Sequence, residues 1–439
     1  MTPHIPLLIL TAALTTTPLL PPPADFLAQQ RRAYPAAAHG ENHTHNFHLT
    51  PAPSSSRWYP AWHPGGDRVA VAMSGSLREV DIASGRRGAE ALEAATLEAP
   101  GPGEAPHGRT GMQQPTVTEQ SSGIAETLQA ISPVSEQTVW VSGHGGAILR
   151  TADGGATWER VSAPAGDSMQ FRDIHGFSSE SAVALTAGEG PLSRIYRTDD
   201  GGNSWTLGFL MEEPAGFLDC LDFWDENHGF AYGDSFDGVP YILLTRDGGH
   251  GWTRVSAETS PPANEGEGGF AASGTCARAA AGGRGWIGTG AGGSARVLAT
   301  GDYGRTWTAT ETPVVKGPLA GIFTMVVADG RPLMVLGGDL DRREEVVAAN
   351  VAVTGDAGRT WTLASPAPIN GAVYGSAAGG TGANRFVVAV APPGAVYTSD
   401  MGRSWEELPG VSAWAVEFAP GGRVGWAAGG GGRIWRIEW

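Results

Sequence analysis

An eight-residue pattern that occurs six times limits the possible folds of this chain more than any other feature of its sequence. The pattern reads Ser/Thr-x-Asp-x-Gly-x-Ser/Thr-Trp, and only the third copy departs from it, with Gly251 at the seventh place. Successive copies are about 44 to 55 residues apart, which is a spacing typical of an internally repeated fold. The Asp and Trp positions of the six copies are Asp153 and Trp158, Asp200 and Trp205, Asp247 and Trp252, Asp302 and Trp307, Asp356 and Trp361, and Asp400 and Trp405.

Each residue type in this octapeptide motif has a structural role in a tight turn between two strands. A carboxylate at the third position can accept hydrogen bonds from backbone N–H groups of its own turn. Glycine at the fifth position tolerates a positive φ that other residues resist. The Trp that ends the motif places a large ring where it can pack on a neighbouring sheet. We therefore interpret the motif as a structural staple that takes no part in catalysis.

The octapeptide motif resembles the Asp-box, or BNR, repeat of sialidases, sortilin-type receptors, Asp-box xyloglucanases and photosystem II assembly factors. The resemblance covers residues 116–439. All of these families are β-propellers, so the resemblance implies an all-β propeller. It implies much less about function, because one fold hosts many functions.

A four-strand pattern fits every repeat, with strands A to D in order and the octapeptide motif in the C–D turn. In the second repeat we predict strand A at 171–177, B at 182–186, C at 194–198 and D at 204–207. The same order in all repeats predicts blades that are four-stranded antiparallel sheets.

The last repeat lacks its fourth strand. After the sixth motif the sequence predicts strand A at 413–418, B at 424–428 and C at 433–439. Residues 114–120 are placed to supply the missing strand, which would satisfy the open hydrogen bonds of a sheet edge. We therefore predict a seven-bladed β-propeller whose ring is closed by an N-terminal strand.

The composition limits which structure, which partners and which cysteine-based sites are expected. The chain has 65 Gly and 17% charged residues, which is typical of short strands joined by tight turns. Its net charge is −16 without a Lys/Arg-rich run, so nucleic acid is not an expected partner. Two cysteines, Cys220 and Cys276, are too few for a disulfide framework or a zinc site. A disulfide between neighbouring blades stays open, but two buried free thiols are the favoured interpretation.

The residues before the propeller divide into segments of different composition. Residues 1–20 contain an apolar run that is too short to span a bilayer, and we interpret it as the core of a signal peptide. Residues 57–87 resemble a lone blade of a TolB-type propeller, and residues 88–115 form a Gly/Pro/Glu/Ala-rich linker. We expect an exported, extracytoplasmic monomer without a membrane span in the mature chain.

Residues 21–56 are rich in Pro, Ala and Ser and are expected to be disordered. They include four histidines that could bind a transition metal, but a solvated segment without fixed ligand geometry is the favoured interpretation. We therefore assign no metal site. The histidines are His39, His43, His45 and His48.

Candidate binding residues lie in the B–C and D–A loops, which emerge on the face opposite the octapeptide motifs. Loops held by a rigid scaffold are where sites are usually built. The candidates from adjacent blades are Asp234, Asp237, Glu265, Glu267, Arg296, Asp339 and Asp341. Their carboxylates could attract a basic partner, coordinate Ca²⁺, serve as a general acid and base, or simply cap turns. No cofactor is expected, although Ca²⁺ stays open.

Two classes of function compete. The favoured hypothesis is a non-enzymatic, extracytoplasmic propeller that binds or assembles proteins through this acidic loop face, with carbohydrate as another ligand class. The alternative is a sialidase- or xyloglucanase-like glycoside hydrolase that uses loop carboxylates. The sequence lacks a recognisable sialidase or xyloglucanase catalytic motif. Some loop segments also resemble uncharacterised bacterial Asp-box proteins labelled "oxidoreductase", but no G-x-G-x-x-G motif lies between a predicted strand and a helix, where it would bind a nucleotide cofactor.

Overall fold

The computed structural model describes residues 114–164, 166 and 168–439 in full, together with three short strands near the N-terminus. Those strands are β1 (Tyr59–Trp62), β2 (Arg68–Met73) and β3 (Ser76–Asp81), and they form a three-stranded antiparallel sheet in the order β1-β2-β3. The predicted signal peptide, the histidine-rich segment and nearly all of the linker lie outside the described residues.

Residues 116–439 form seven four-stranded antiparallel sheets, which confirms the predicted all-β, seven-bladed propeller. The strands are, in blade 1, β5 (Leu128–Pro133), β6 (Val139–Gly143), β7 (Ile148–Thr151) and β8 (Glu159–Arg160); in blade 2, β9 (Phe171–Gly176), β10 (Ala182–Thr186), β11 (Arg194–Thr198) and β12 (Thr206–Leu210); in blade 3, β13 (Leu218–Phe223), β14 (Gly229–Phe236), β15 (Val239–Thr245) and β16 (Thr253–Arg254); in blade 4, β17 (Ala277–Ala280), β18 (Arg284–Gly288), β19 (Arg296–Thr300) and β20 (Thr308–Glu311); in blade 5, β21 (Ala320–Ala328), β22 (Arg331–Asp339), β23 (Val351–Val353) and β24 (Thr362–Leu363); in blade 6, β25 (Gly375–Gly379), β26 (Phe386–Ala391), β27 (Gly394–Thr398) and β28 (Glu406–Glu407); and in blade 7, β29 (Ala415–Phe418), β30 (Val424–Ala428), β31 (Arg433–Glu438) and β4 (Thr116–Ser121).

The A strands line the centre of the ring, and each one contacts the A strand of the next blade, including β29 with β5. Strand β4 pairs antiparallel with β31 along its whole length, from Thr116 opposite Glu438 to Ser121 opposite Arg433. The fourth strand of blade 7 therefore comes from the other end of the propeller sequence. Helical structure in the described residues is limited to four single turns of 3₁₀ helix, at Gly190–Leu192, Ala257–Thr259, Gly382–Asn384 and Gly430–Gly432.

The predicted strand boundaries hold for the B and C strands and shift at the D strands. Strand β12 begins at Thr206, two residues later than predicted. The reason is that Ser204 belongs to the turn, since its backbone N–H and its hydroxyl both donate to the Asp200 carboxylate, at 2.9 and 2.6 Å. The hydrogen bonds of the motif thus delay the start of the strand that follows.

The octapeptide motif forms the staple that the sequence predicts. In the first copy, Asp153 Oδ1 accepts from the Thr151 hydroxyl at 2.7 Å and from the Thr157 N–H at 2.9 Å, and Oδ2 accepts from the Thr157 hydroxyl at 2.6 Å. These bonds favour the charged form and lower the pKa of Asp153 to about 2. The divergent third copy keeps the backbone bond from Gly251 to Asp247 at 2.9 Å.

The core consists of apolar layers between neighbouring blades. Its largest fully buried side chains include Trp140, Trp426 and Trp435. One layer, between blades 3 and 4, contains a disulfide between Cys220 and Cys276, whose Cα atoms are 6.0 Å apart. The favoured interpretation of two free thiols is therefore wrong. The sequence spacing of the two cysteines does not predict their pairing, because the distance between them depends on how adjacent blades stack.

Candidate functional site

The central channel is crossed by a segment that we name the channel plug, Phe270–Thr275. It belongs to the connection from strand D of blade 3 to strand A of blade 4, yet it binds distant blades. The Ala271 carbonyl accepts from Gln129 Nε2 of blade 1 at 2.9 Å, and the Ser273 hydroxyl donates to the Tyr374 carbonyl, next to blade 6, at 2.7 Å. The plug therefore ties together opposite sides of the ring.

Aromatic rings pack around the plug on the side of the D–A loops. Phe270 stacks on Phe323 with 3.8 Å between ring centroids, and Tyr374 lies parallel to Phe323 at 6.0 Å. Trp414 continues the row edge-on at 5.0 Å from Tyr374. This apolar layer explains why a loop with the composition Ala-Ala-Ser-Gly-Thr can be buried in the channel.

Two of the predicted loop-face residues, Glu267 and Arg296, form a buried ion pair. Their side chains are 0% and 9% exposed, and two bonds of 3.0 and 2.5 Å join the guanidinium to the carboxylate. Glu267 also accepts from the Thr289 hydroxyl at 2.6 Å and from the Asn264 N–H at 2.8 Å. With both carboxylate oxygens occupied by internal donors, Glu267 fixes the loop that leads into the plug.

Asp234 lies next to the buried carboxyl group of Asp219, which is not among the predicted site residues. Its Oδ1 accepts from the Gly269 N–H at 3.1 Å, beside Asp219, which is fully buried. Burial and the Asp234 charge raise the pKa of Asp219 well above its ordinary value, and the buried Arg172 opposes that rise. Burial in turn lowers the pKa of Arg172 to about 10. These groups lie between the loop face and the plug.

The other predicted loop residues remain at the surface. Asp237 is exposed in the β14–β15 turn with φ 52°, and Glu265 and Asp341 are also exposed. Asp339 is half-buried and accepts the N–H of Asp341 at 2.9 Å, as a turn-capping residue does. Among the described residues no three His, Cys, Asp or Glu side chains are arranged to hold a metal ion.

A cavity of about 530 Å³ opens at the other end of the channel, where the A strands turn into the B strands. We name it the channel-mouth cavity. Its walls come from the ends of β5, β9, β13 and β29, and the plug residues Ser273–Thr275 also line it. The volume is in the range of ligand pockets, about 300 to 1,000 Å³. All of the predicted site residues belong to loops of the opposite face, so this cavity was not predicted.

Two carboxylates that line this cavity, the buried Asp173 and the half-buried Asp222, hold neighbouring blades together. Asp173 accepts the N–H of Ile174 and the N–H of Leu221 in the next blade, both at 2.7 Å. Asp222 repeats the arrangement and accepts the N–H of Ala279 in blade 4 at 2.7 Å. Burial is the main cause that raises the pKa of Asp173 to about 7.

A histidine–carboxylate contact and an ion pair complete the lining of the channel-mouth cavity. His175 Nδ1 lies 3.0 Å from Asp222 Oδ1. Arg278 reaches across the channel to Glu417 of blade 7 at 2.5 Å, and it also donates to the carbonyls of Met325 and Ser376 at 3.0 and 2.9 Å. The Arg278 side chain thus connects blades 4, 5, 6 and 7.

The fold and the two channel ends define a seven-bladed β-propeller with an internally plugged channel. Among solved structures that share the fold is one described as YCF48 bound to D1 peptide, with a TM-score of 0.51 and 15% identity over 75% of this chain and 96% of that chain. YCF48 from Cyanidioschyzon merolae aligns with a TM-score of 0.50 and 14% identity over 73% of this chain and 98% of that chain. These identities establish similarity of fold alone.

No family model matches this sequence, and no curated protein matches it. Within the described residues, no helix has the length and apolar character needed to cross a bilayer.

Proposed function

We propose that this protein is a non-enzymatic scaffold that binds a protein partner through its loop face. The observation that carries the proposal is the set of exposed carboxylates on that face, Asp237, Glu265 and Asp341, which project from loops of a closed ring. Rigid presentation limits the entropy lost on binding, and negative charge on these loops favours a partner with a basic surface.

The fold comparison supports a protein ligand. A propeller of this architecture is known in complex with a peptide, since the YCF48 structure contains D1 peptide. The D1 peptide itself is a property of that protein, and the partner of the present chain is defined here only by its basic character.

The geometry favours binding over glycoside hydrolysis at the loop face. A retaining glycosidase needs two carboxyl groups about 5 Å apart that can reach the substrate. Glu267, one of the candidate loop carboxylates, is buried and accepts hydrogen bonds from internal donors at both carboxylate oxygens. Asp234 is engaged by the backbone of Gly269. Both side chains have structural roles that explain their presence.

The test is an affinity capture with the full chain, quantified by mass spectrometry. The loop-face variant carries Asp237→Asn, Glu265→Gln and Asp341→Asn. The matched control carries Glu119→Gln, Glu159→Gln and Glu407→Gln, three exposed acids on outer strands of other blades. We expect proteins that wild type and control retain and that the loop-face variant loses. Equal retention by the folded loop-face variant would contradict the proposal.

We also propose that the protein works outside the cytoplasm. The Cys220–Cys276 disulfide supports this location, because disulfides persist mainly in oxidising compartments. A fusion of the full chain to a reporter enzyme that is active only after export tests the proposal. Reporter activity is the expected result, whereas an inactive reporter on a chain that accumulates with reduced cysteines would contradict it.

A further inference from the structure

We propose that the channel-mouth cavity binds a basic side chain, preferably an arginine, of a partner polypeptide. The loop-face proposal concerns the opposite end of the channel, so the two can be tested separately. The burial of its acidic groups, its charge and its aromatic wall favour such a ligand.

The carboxylates that line the cavity range from exposed to buried. Glu226 and Asp225 are exposed at its rim, Asp222 is half-buried on its wall, and Asp173 at its base is 6% exposed. A long side chain that enters from the rim therefore passes acidic groups at every depth. A flat acidic patch, by contrast, would hold such a side chain only at its surface.

The charges that line the cavity leave an excess of negative charge. Five lining carboxylates, Asp173, Asp222, Asp225, Glu226 and Glu417, face one permanent cation, Arg278. Arg278 is already committed to Glu417 and to two carbonyls of the ring. A ligand that supplies a positive charge would stabilise the ionised form of the buried carboxylates, whereas an anionic ligand would be repelled.

The apolar part of the wall suits the stem and the flat head of an arginine. Phe177, Phe223 and His175 form a compact cluster with centroid distances of 4.8 to 5.0 Å, and Phe418 lines the blade 7 side. Aliphatic stems pack on such surfaces while the charged head reaches polar groups. The planar guanidinium carries five donors and also stacks on aromatic rings. The outer side of this cluster already shows that contact, since the Arg197 guanidinium lies 5.2 Å from the Phe177 ring centroid.

The test uses the full chain and two short peptides in calorimetric titrations. One probe is acetyl-Gly-Gly-Arg-Gly-Gly-amide, and the other replaces the arginine with glutamine. We expect the arginine peptide to bind with a Kd of about 1 mM or tighter, at least about tenfold better than the glutamine peptide. Equal heats for the two peptides would overturn the proposal.

A pair of lysine variants locates the site. Pro420 is exposed at the rim of the cavity, so Pro420→Lys places a tethered cation at its mouth. Leu363 is 50% exposed on the outer strand β24, and Leu363→Lys adds the same charge far from the channel. We expect Pro420→Lys to weaken the arginine peptide about tenfold and Leu363→Lys to leave its affinity within about twofold. If both variants melt like wild type and bind the arginine peptide with equal affinity, the peptide binds outside the channel-mouth cavity.

Free polyamines share this cationic chemistry, and spermidine serves as the probe for them. The proposal predicts that spermidine binds more weakly than the arginine peptide, because it lacks a planar head. If spermidine binds more tightly and displaces the peptide, the site belongs to small cations and the polypeptide proposal fails.

Discussion

At the scale of single residues, some charged side chains that the sequence suggests as binding residues instead have a structural role inside the protein. Glu267 and Arg296 are both buried and bonded to each other through two contacts. Such a pair is weak evidence of net stability, but removing one partner leaves an uncompensated charge in a low dielectric. The pair fixes the loop that enters the channel.

We predict that Glu267→Gln lowers the free energy of unfolding by about 3 to 5 kcal/mol, because Arg296 keeps its charge in a buried position. Urea unfolding followed by tryptophan fluorescence measures the change. The control Glu265→Gln alters an exposed neighbour in the same loop and should stay within about 0.5 kcal/mol of wild type. A loss below about 1 kcal/mol for Glu267→Gln would show that Arg296 regains solvent when its partner is removed.

At the scale of elements, the channel plug is held at its C-terminal end by a covalent bond. Cys276 follows the plug directly, and its disulfide to Cys220 attaches it to β13 of blade 3. The bond closes a loop of 56 residues that contains most of blade 3 and the whole plug. The disulfide therefore restricts the unfolded chain over about one repeat.

We predict that the double variant Cys220→Ala, Cys276→Ala unfolds with a free energy about 4 kcal/mol lower than wild type, the value that loop-closure entropy gives for a loop of this length. Denaturant melts of oxidised wild type and the variant measure the difference. A reducing agent should lower the stability of wild type alone. An equal effect of the reducing agent on the double variant would mean that the loss has another cause.

At the scale of the whole molecule, two groups of carboxylates make the stability of the fold depend on pH in opposite directions. The motif aspartates, such as Asp153 and Asp356, have a pKa lowered to about 2 by hydrogen bonds within their turns. The stability that these aspartates contribute to the folded state is present above their unfolded pKa of about 4, and it is lost as pH falls through about 2. Asp173, whose pKa burial raises to about 7, contributes stability below about pH 4 that is lost as pH rises through 7.

A half-buried histidine, His144, adds a third pH dependence of stability. Burial is the main cause that lowers the pKa of His144 to about 4, so this side chain is neutral in the folded protein near neutral pH. The stability that His144 contributes to the folded state is present above its unfolded pKa of about 6.5, and it is lost as pH falls toward 4. The total profile combines these groups, so a comparison of variants isolates one of them.

We predict that wild type loses stability relative to Asp173→Asn as pH rises from 5 to 8, by at least about tenfold in the unfolding equilibrium constant. The reason is that the asparagine cannot ionise in its buried position. Urea melts at several pH values measure the two slopes. Asp341→Asn, at an exposed position, should follow the wild-type slope, and parallel slopes for wild type and Asp173→Asn would contradict the prediction.

The candidate site was less predictable than the fold. The loop positions of Asp237, Glu265 and Asp341 follow from the order of strands in each repeat, and the structure leaves these side chains exposed. The same reasoning could not show that Glu267 and Arg296 pair, because one lies in a D–A loop and the other begins a C strand. The uncharged run Ala271–Thr275 was the signal of a buried loop, but its place in the channel depends on contacts with other blades.

The sequence by itself determined the blades: six octapeptide motifs whose hydrogen bonds are local to eight residues, and strands whose pattern repeats with them. Local bonds of this kind form wherever the motif occurs, so the motif predicts them. Only the tertiary structure decided the plug, the disulfide and the channel-mouth cavity. The plug and the cavity join residues from non-consecutive blades, and the disulfide joins two neighbouring blades, so their geometry depends on how the blades pack together.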